Sequence, residues 1–369
     1  MTSRPVAAPT VPAPRGSLLL RDLDLRDTAL LKALAILAIV FHNFFHAVSP
    51  AHQNEFSFDP ARFPIFLSAV QHPPLAIQAF FSFFGHYGVQ IFIFLSAYGL
   101  SRSHWDDRAG WPAFMAGRVK KLYPIFALVV VPWMMLVAFR LGPLTFFKTV
   151  GLRLLLLLTG VSASAPGYSL PPVGPWWFIP FIVQFYALWP LLRRVTNKLG
   201  WPGLVTVAVA GVAITSAINP ALAHHSFNLM TTPIGRMPVI CMGIAAARFP
   251  LRINGLLALA GGVVLVLGSI YAVLWPLSAL GALMLALWMY GKACPVLRQI
   301  PLLQRLGDYS LLVFLLNGIV RNQFVPMAGS PRSQLVLGCV SAAVSFAIAA
   351  LIYELVLRQR PAPPQLRPT

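Results

Sequence analysis

A lysine and a histidine lie ten residues apart in a stretch that is otherwise apolar enough to cross a bilayer. Only apolar residues separate Lys32 from His42. Ionisable groups at membrane depth are costly, by at least ~2.5 kcal/mol for a cation on insertion scales, so their presence indicates function. At ~1.5 Å per residue the two side chains are about 15 Å apart along a helix. This spacing would let an anionic cofactor enter at Lys32, near one membrane face, and bring its reactive end to His42 near the midplane.

Other candidate metal or thiol sites are weak. His46 follows His42 by one helical turn, a spacing that zinc ligands also use. No third ligand of a suitable type is evident at the same depth, so we expect no metal. Three single cysteines, without a CxxC pair, indicate neither a disulfide framework nor a zinc site. They are Cys241, Cys294 and Cys339.

The composition is that of a membrane protein. The chain has 369 residues, of which 58% are hydrophobic and 10% charged, with a mean hydropathy of +0.75. A soluble domain carries roughly 25% charged residues. The net charge of +19 does not indicate nucleic-acid binding, because the basic residues gather in short clusters between apolar segments. This is the positive-inside pattern of an inner (cytoplasmic) membrane protein.

The apolar segments predict an all-α polytopic integral membrane protein. A further apolar run at 144–162 carries two cations, and we expect it to be a re-entrant or interfacial helix that protein covers. About ten transmembrane helices are expected, at 30–49, 76–101, 119–139, 176–192, 202–219, 235–249, 253–273, 276–291, 309–326 and 334–357.

The orientation follows from the lysine and arginine count. With the N-terminus inside, the cytoplasmic segments carry 21 of the 28 basic residues, which predicts that both termini are cytoplasmic. The Pro-rich, basic ends at 1–25 and 359–369 are expected to be disordered cytoplasmic tails. The transmembrane domain would then occupy 26–358.

A basic cluster follows the second apolar segment. The segment from Gly88 to Tyr98 contains Ser96 and small residues that allow close helix packing. After it come Arg118 and Lys121, just before a Tyr-Pro pair. Cations beside a helix N-terminus could bind phosphate. The alternative is that they only fix the topology, and this is the interpretation we favour for the neighbouring Lys120.

A third stretch runs from Trp176 to Leu192. Its tryptophan pair would lie at the outer interface, where an aromatic belt is expected. Gln184 needs a partner near the bilayer centre, either in another helix or in a reaction site, and Tyr186 follows it closely.

In order and rough spacing, these stretches resemble the membrane acyltransferase-3 family of bacterial acyl-CoA-dependent O-acyltransferases. The resemblance covers residues 26 to about 325 and implies ten transmembrane helices. It also implies transfer of an acyl group, most simply acetyl from acetyl-CoA, to a hydroxyl of a cell-surface or exported glycan. His42 would be the general base or a transient acyl carrier. Asn43, Gln184 and Tyr186 would orient it or stabilise an oxyanion. The residues implied on the CoA side are Lys32, Ser96, Tyr98, Arg118 and Lys121.

The chain departs from the family pattern at four positions. Lys32 and Lys121 stand where the family commonly has arginine, and Ala97 replaces a glycine. Asn317 stands where the family often has histidine. Two other functions stay open. One is a transporter or flippase whose buried histidine relays protons. The other is a catalytically inactive relative, which the departures at Ala97 and Asn317 keep open.

Overall fold

The computed structural model describes residues 18–107 and 109–358. Of these described residues, 81% are helical and almost none are in strands. Its two short strands are β1 (Leu18–Leu19) and β2 (Arg252–Ile253). The helices are α1 (Leu25–Phe45), α2 (Arg62–Val70), α3 (Pro73–Phe84), α4 (Gly88–Ser103), α5 (Trp111–Leu141), α6 (Pro143–Phe146), α7 (Leu152–Leu158), α8 (Phe178–Ala223), α9 (Met237–Arg248), α10 (Gly255–Ile270), α11 (Trp275–Leu297), α12 (Pro301–Asp308), α13 (Ser310–Phe324) and α14 (Pro331–Ile352).

Seven helical segments of the described chain are long and apolar enough to cross a membrane. The difference from the ten predicted spans has a physical explanation. One of the seven, Gly174–Ala223, contains two predicted spans, because Gly200 breaks the helix with φ +63° and ψ −148°. Two more predicted spans are α9 and α10, whose 12 and 16 residues are short for a crossing. A multi-pass membrane protein is therefore confirmed, while the count of ten and the side of the termini stay predictions.

The run predicted as a re-entrant or interfacial helix is helical from residue 143 to 158, with a π-helical segment in its middle. It consists of α6, a π-helical segment at Phe147–Gly151, and α7. The chain turns at Gly160, which has φ +77°, a conformation that glycine adopts without a Cβ penalty.

The boundary of the predicted N-terminal tail needs correction. Residues 18–25 are ordered, because β1 pairs antiparallel with β2 and places Leu18 opposite Ile253. A 3-10 turn follows, and its Leu20 is fully buried. The remaining tail residues, 1–17 and 359–369, lie outside the described part of the chain.

Helix α1 runs through the middle of the protein and packs on α3, α4, α12 and α13. Two glycines bring α4 and the turn before it close to α1. A Cβ at Gly88 would lie 2.6 Å from the carbonyl oxygen of Ala35, and one at Gly85 would lie 2.7 Å from the Cβ of His42. Gly307, at the end of α12, touches the backbone of Ala29 in the same way.

The N-terminus of α1 is fixed by a polar cluster. Asp24 and Asp27 form a capping box that satisfies the first backbone N–H groups of the helix. Arg298, just after α11, donates hydrogen bonds to both carboxylates, at 2.8 Å to Asp24 and 2.7 Å to Asp27. The Tyr290 hydroxyl also donates to Asp27, at 2.5 Å. These bonds fix the N-terminal end of α1, the helix that carries Lys32 and His42.

Candidate active site

His42 lies in the last turn of α1 and is 5% exposed. Its Nδ1 lies 3.2 Å from the carbonyl oxygen of Phe81, on α3. Because a carbonyl only accepts hydrogen bonds, Nδ1 carries the proton and Nε2 carries the lone pair. Among the described residues Nε2 has no hydrogen-bond partner. The imidazole is therefore oriented as a proton acceptor, with Nε2 free for a substrate.

A cavity of about 220 Å³ lies beside His42. This volume is smaller than the ~300–1,000 Å³ of drug-sized ligand sites, so it suits one end of a larger substrate. Its apolar wall includes Trp177 and Phe314. The polar side chains in its lining are those of His42, Asn43, His46, Asn54, Glu55, His86 and Arg321.

Asn43 and Asn317 join α1 to α13 beside the cavity. The Asn43 Nδ2 donates to Asn317 Oδ1 at 2.7 Å, and Asn317 Nδ2 donates to the carbonyl oxygen of Phe314 at 2.6 Å. Arg321 donates to the backbone oxygen of Asn43 at 2.7 Å. The asparagine that replaces the expected histidine is thus a buried hydrogen-bonding residue of this network.

The loop of residues 46–61 covers the cavity. Arg236, which is 2% exposed, donates to the backbone oxygen of Glu55 at 2.7 Å. Asn228 donates to the backbone oxygen of Phe56 at 2.7 Å, and the Phe56 ring packs edge-on against Trp177. These contacts fix the loop with Glu55 in the cavity wall.

Three imidazoles lie close together here. The ring centroid of His42 is 5.1 Å from that of His46 and 5.4 Å from that of His86. His86 is 1% exposed, and neither of its ring nitrogens has a partner among the described residues. A buried polar atom without a partner costs ~1–3 kcal/mol. The described chain contains no group of three or more His, Cys, Asp or Glu residues arranged to bind a metal ion.

A second group of polar residues surrounds the loop after α4. Arg118 lies 2.6 Å from Nε2 of His104, and its own Nε is buried without a partner in the described chain. Arg193 donates to three carbonyl oxygens of this loop, at 2.8–3.3 Å. Arg248 lies over the Trp105 ring at 4.3 Å. Burial first, and then the charge of Arg118, lower the pKa of His104, which keeps it neutral as a hydrogen-bond acceptor.

The other residues predicted to contact the acyl-CoA donor differ in their burial and in their hydrogen-bond partners. Lys32 is partly buried near Asp308. Burial raises the pKa of the Asp308 carboxyl, and the positive charge of Lys32 opposes this shift. Lys121 is exposed. Ser96 donates to Phe92 in its own helix at 2.8 Å. Tyr98 donates to the backbone oxygens of residues 21 and 23, so it fastens the segment before α1.

The cavity lining does not include Gln184 or Tyr186. The Gln184 amide donates to the Gly160 oxygen at 2.9 Å and accepts from Ser164 at 3.2 Å. Both partners lie in the segment that follows α7, outside the lining of the His42 cavity. Tyr186 is partly buried on α8. Of the four residues predicted for catalysis, the structure brings together His42 and Asn43.

Three cavity residues were missed from the sequence. Glu55 lies in a loop without a motif, and only folding brings it to His42. Arg321 is one of the seven basic residues outside the predicted cytoplasmic segments, and the charge count gives it no other role. His86 stands two residues before the Gly88–Tyr98 segment singled out in the sequence, so its position was a usable signal.

A protein-family model described as "Acyltransferase domain" matches residues 25–354. The matched region begins at the first residue of α1 and ends in the π-helical segment Tyr353–Leu357. It therefore includes both the His42 cavity and the Arg118 group. Comparisons with curated proteins and with solved structures gave no match.

Proposed function

The chain belongs to the acyltransferase-3 family, and from this membership we propose that it is an O-acyltransferase of the bacterial inner membrane. The donor would be a cytoplasmic acyl-CoA, most simply acetyl-CoA. The acceptor would be a hydroxyl of a cell-surface or exported glycan. The observation that carries the proposal is the buried His42, whose Nδ1 faces the Phe81 oxygen beside a polar cavity.

In the general-base route, His42 Nε2 takes the proton of the acceptor hydroxyl. The hydroxyl oxygen then attacks the thioester carbonyl, and the carbon–sulfur bond breaks. The CoA thiolate takes the proton back from Nε2, so the imidazole is regenerated. In the acyl-carrier route, Nε2 attacks the thioester carbonyl and the carbon–sulfur bond breaks, which leaves an acyl-imidazolium and the CoA thiolate. The acceptor oxygen then attacks the acyl carbon, the bond to Nε2 breaks, and the hydroxyl proton goes to the thiolate. Both routes need the lone pair on Nε2.

Asn43 supports the same reaction. One hydrogen of its Nδ2 is directed to Asn317, and an amide nitrogen has two hydrogens. The second can stabilise the oxyanion that forms on the thioester carbonyl. Gln184 and Tyr186 are not needed for this role.

Arg118 is the residue best suited to the CoA phosphates. Its buried Nε lacks a partner in the described chain, and a phosphate oxygen would supply one through a charge-assisted hydrogen bond. Lys32 and Lys121 would add positive charge on the same side. Ser96 and Tyr98 would hold the surrounding backbone instead of contacting the donor.

The test is to replace His42 with Gln in membrane vesicles that contain the protein. Radiolabelled acetyl-CoA is supplied on the cytoplasmic side, and label is counted in the glycan fraction. Removing a positioned acid–base group costs roughly 10²–10⁴-fold, so His42→Gln should be nearly inactive at normal protein levels.

The matched control is His224→Gln, an exposed histidine on an outer loop, which should transfer like the wild type. Normal transfer by His42→Gln would refute the role of His42. Absence of transfer by the wild type would favour the inactive relative. Label that crosses the vesicle without becoming covalently bound would favour a transporter.

A further inference from the structure

The His42 cavity has an uneven charge distribution. Arg321 lies in its wall, and the fully buried Arg236 lies behind the loop that covers it. Glu55 is the one carboxylate among the cavity-lining side chains of the described chain. It is 8% exposed, so water screens its charge poorly.

The reaction proposed above places a further positive charge in this cavity. When His42 takes the hydroxyl proton it becomes an imidazolium. The other groups facing it are His46 on its own helix, His86 from the turn before α4, and Arg321 from α13, with His52 beyond His46. None of these can offset a positive charge. A buried charge without compensation is costly.

Glu55 is held in place by its backbone and by the Trp177 indole, which donates a hydrogen bond to its carboxylate. Its backbone oxygen accepts the hydrogen bond from Arg236 at 2.7 Å, and the neighbouring Phe56 is fixed by Asn228 and Trp177. Burial raises the pKa of the Glu55 carboxyl, and the charge of Arg236 opposes this shift. The carboxylate is therefore positioned in the cavity wall, where Arg236 and Trp177 offset part of the cost of burying its charge.

We infer that Glu55 is a positioning residue that supplies the counter-charge for protonated His42 during acyl transfer. This inference rests on the proposed function. The proton moves from the acceptor hydroxyl to His42 Nε2 and from there to the CoA thiolate, as the carbon–sulfur bond breaks. Glu55 gains and loses no atom; its negative charge stabilises the imidazolium between the two proton transfers.

The test compares Glu55→Gln, Glu55→Asp and Asp59→Asn in the vesicle assay. Envelope material from cells that natively carry the chain is titrated as acceptor, across mildly acidic to mildly alkaline pH. Asp59 belongs to the same loop but pairs with Arg62 at the surface, at 2.8 Å, so Asp59→Asn is the matched control.

We expect Glu55→Gln to lower the maximal rate by about ten- to a hundred-fold, as the loss of one counter-charge at low dielectric implies. A nearby negative charge favours the protonated imidazole. Its removal should therefore move the rise of activity with pH to a lower pH. Glu55→Asp should recover part of the rate and of the profile, and Asp59→Asn should match the wild type.

Three results would overturn the inference while wild-type transfer persists. Glu55→Gln could match Asp59→Asn. It could lose rate at an unchanged pH profile, which indicates a structural role. It could weaken only the apparent acceptor affinity, which makes Glu55 an acceptor-binding residue. No transfer by the wild type would instead refute the proposed function, and the inference with it.

Discussion

At the scale of single residues, the orientation of His42 depends on a backbone carbonyl. In many catalytic triads a carboxylate accepts the hydrogen bond from Nδ1–H, whereas here the Phe81 oxygen does so. A carbonyl fixes the tautomer but adds no full negative charge. This separates orientation, which comes from α3, from charge compensation, which we assign to Glu55.

A prediction at this scale concerns the donor. Arg118→Gln should weaken acetyl-CoA binding by ~1.5–3 kcal/mol, the value of one charge-assisted hydrogen bond. Lys121→Arg should keep or improve the affinity, because it adds a planar fork that matches phosphate. Binding should also weaken as salt rises. Calorimetric titration of the detergent-purified protein with acetyl-CoA measures the affinity of both variants and its dependence on salt.

The control for this experiment is Arg140→Gln. Arg140 is exposed at the opposite end of the same helix, α5, and should leave binding unchanged. If Arg118→Gln binds acetyl-CoA as tightly as Arg140→Gln, the cluster only fixes the topology and the donor site lies elsewhere.

At the scale of elements, the approach of the α3–α4 turn to α1 builds the site. Gly85 allows this approach, since a Cβ there would lie 2.7 Å from both the Ala38 oxygen and the His42 Cβ. The same turn carries His86, and Phe81 precedes it by one helical turn. The orientation of His42 is therefore coupled to how closely two elements pack.

We predict that Gly85→Ala lowers both stability and transfer. Overpacking of this kind costs typically 1–3 kcal/mol, and separating the turn from α1 would loosen the bond to the Phe81 oxygen. Thermal unfolding in detergent and the vesicle assay measure the two effects. Gly99→Ala on α4 is the control, because a Cβ there meets nothing within 4 Å. Equal behaviour of the two variants would contradict the packing argument.

Hydropathy predicted where the helices lie better than it predicted where they break and how the segments between them pair. The long apolar runs mark where helices lie because burial in lipid requires about 20 apolar residues. Gly200, which divides α8, and the pairing of Leu18 with Ile253 depend on local backbone geometry and distant contacts. For the same reason His42 and Asn43 were found from one helix. Glu55 and Arg321 come to the cavity from separate segments, and the pattern of one segment cannot show this.

At the scale of the whole molecule, the polar groups lie at two levels. Helix α1 places Lys32 and His42 ten residues apart, which is about 15 Å along its axis. Arg118 belongs to the group around the loop after α4, whereas Arg236 and Glu55 belong to the His42 cavity. The acyl donor and the acceptor can therefore approach from opposite sides of the membrane only if the Arg118 group faces one membrane surface and the His42 cavity faces the other.

The last prediction tests that arrangement with two cysteine reporters on α8. Asn197 precedes the break at Gly200, and His225 follows the helix after Ala223; both are exposed. In a background whose native cysteines are replaced by Ala, Asn197→Cys should be shielded from a membrane-impermeant thiol reagent in intact cells, and His225→Cys should be labelled. The segment between them would then cross the membrane once. Labelling of Asn197→Cys alone would invert the orientation and place Arg118 outside, where cytoplasmic acyl-CoA cannot reach it. Labelling of both would mean that the segment does not cross, and the number of spans would fall below ten.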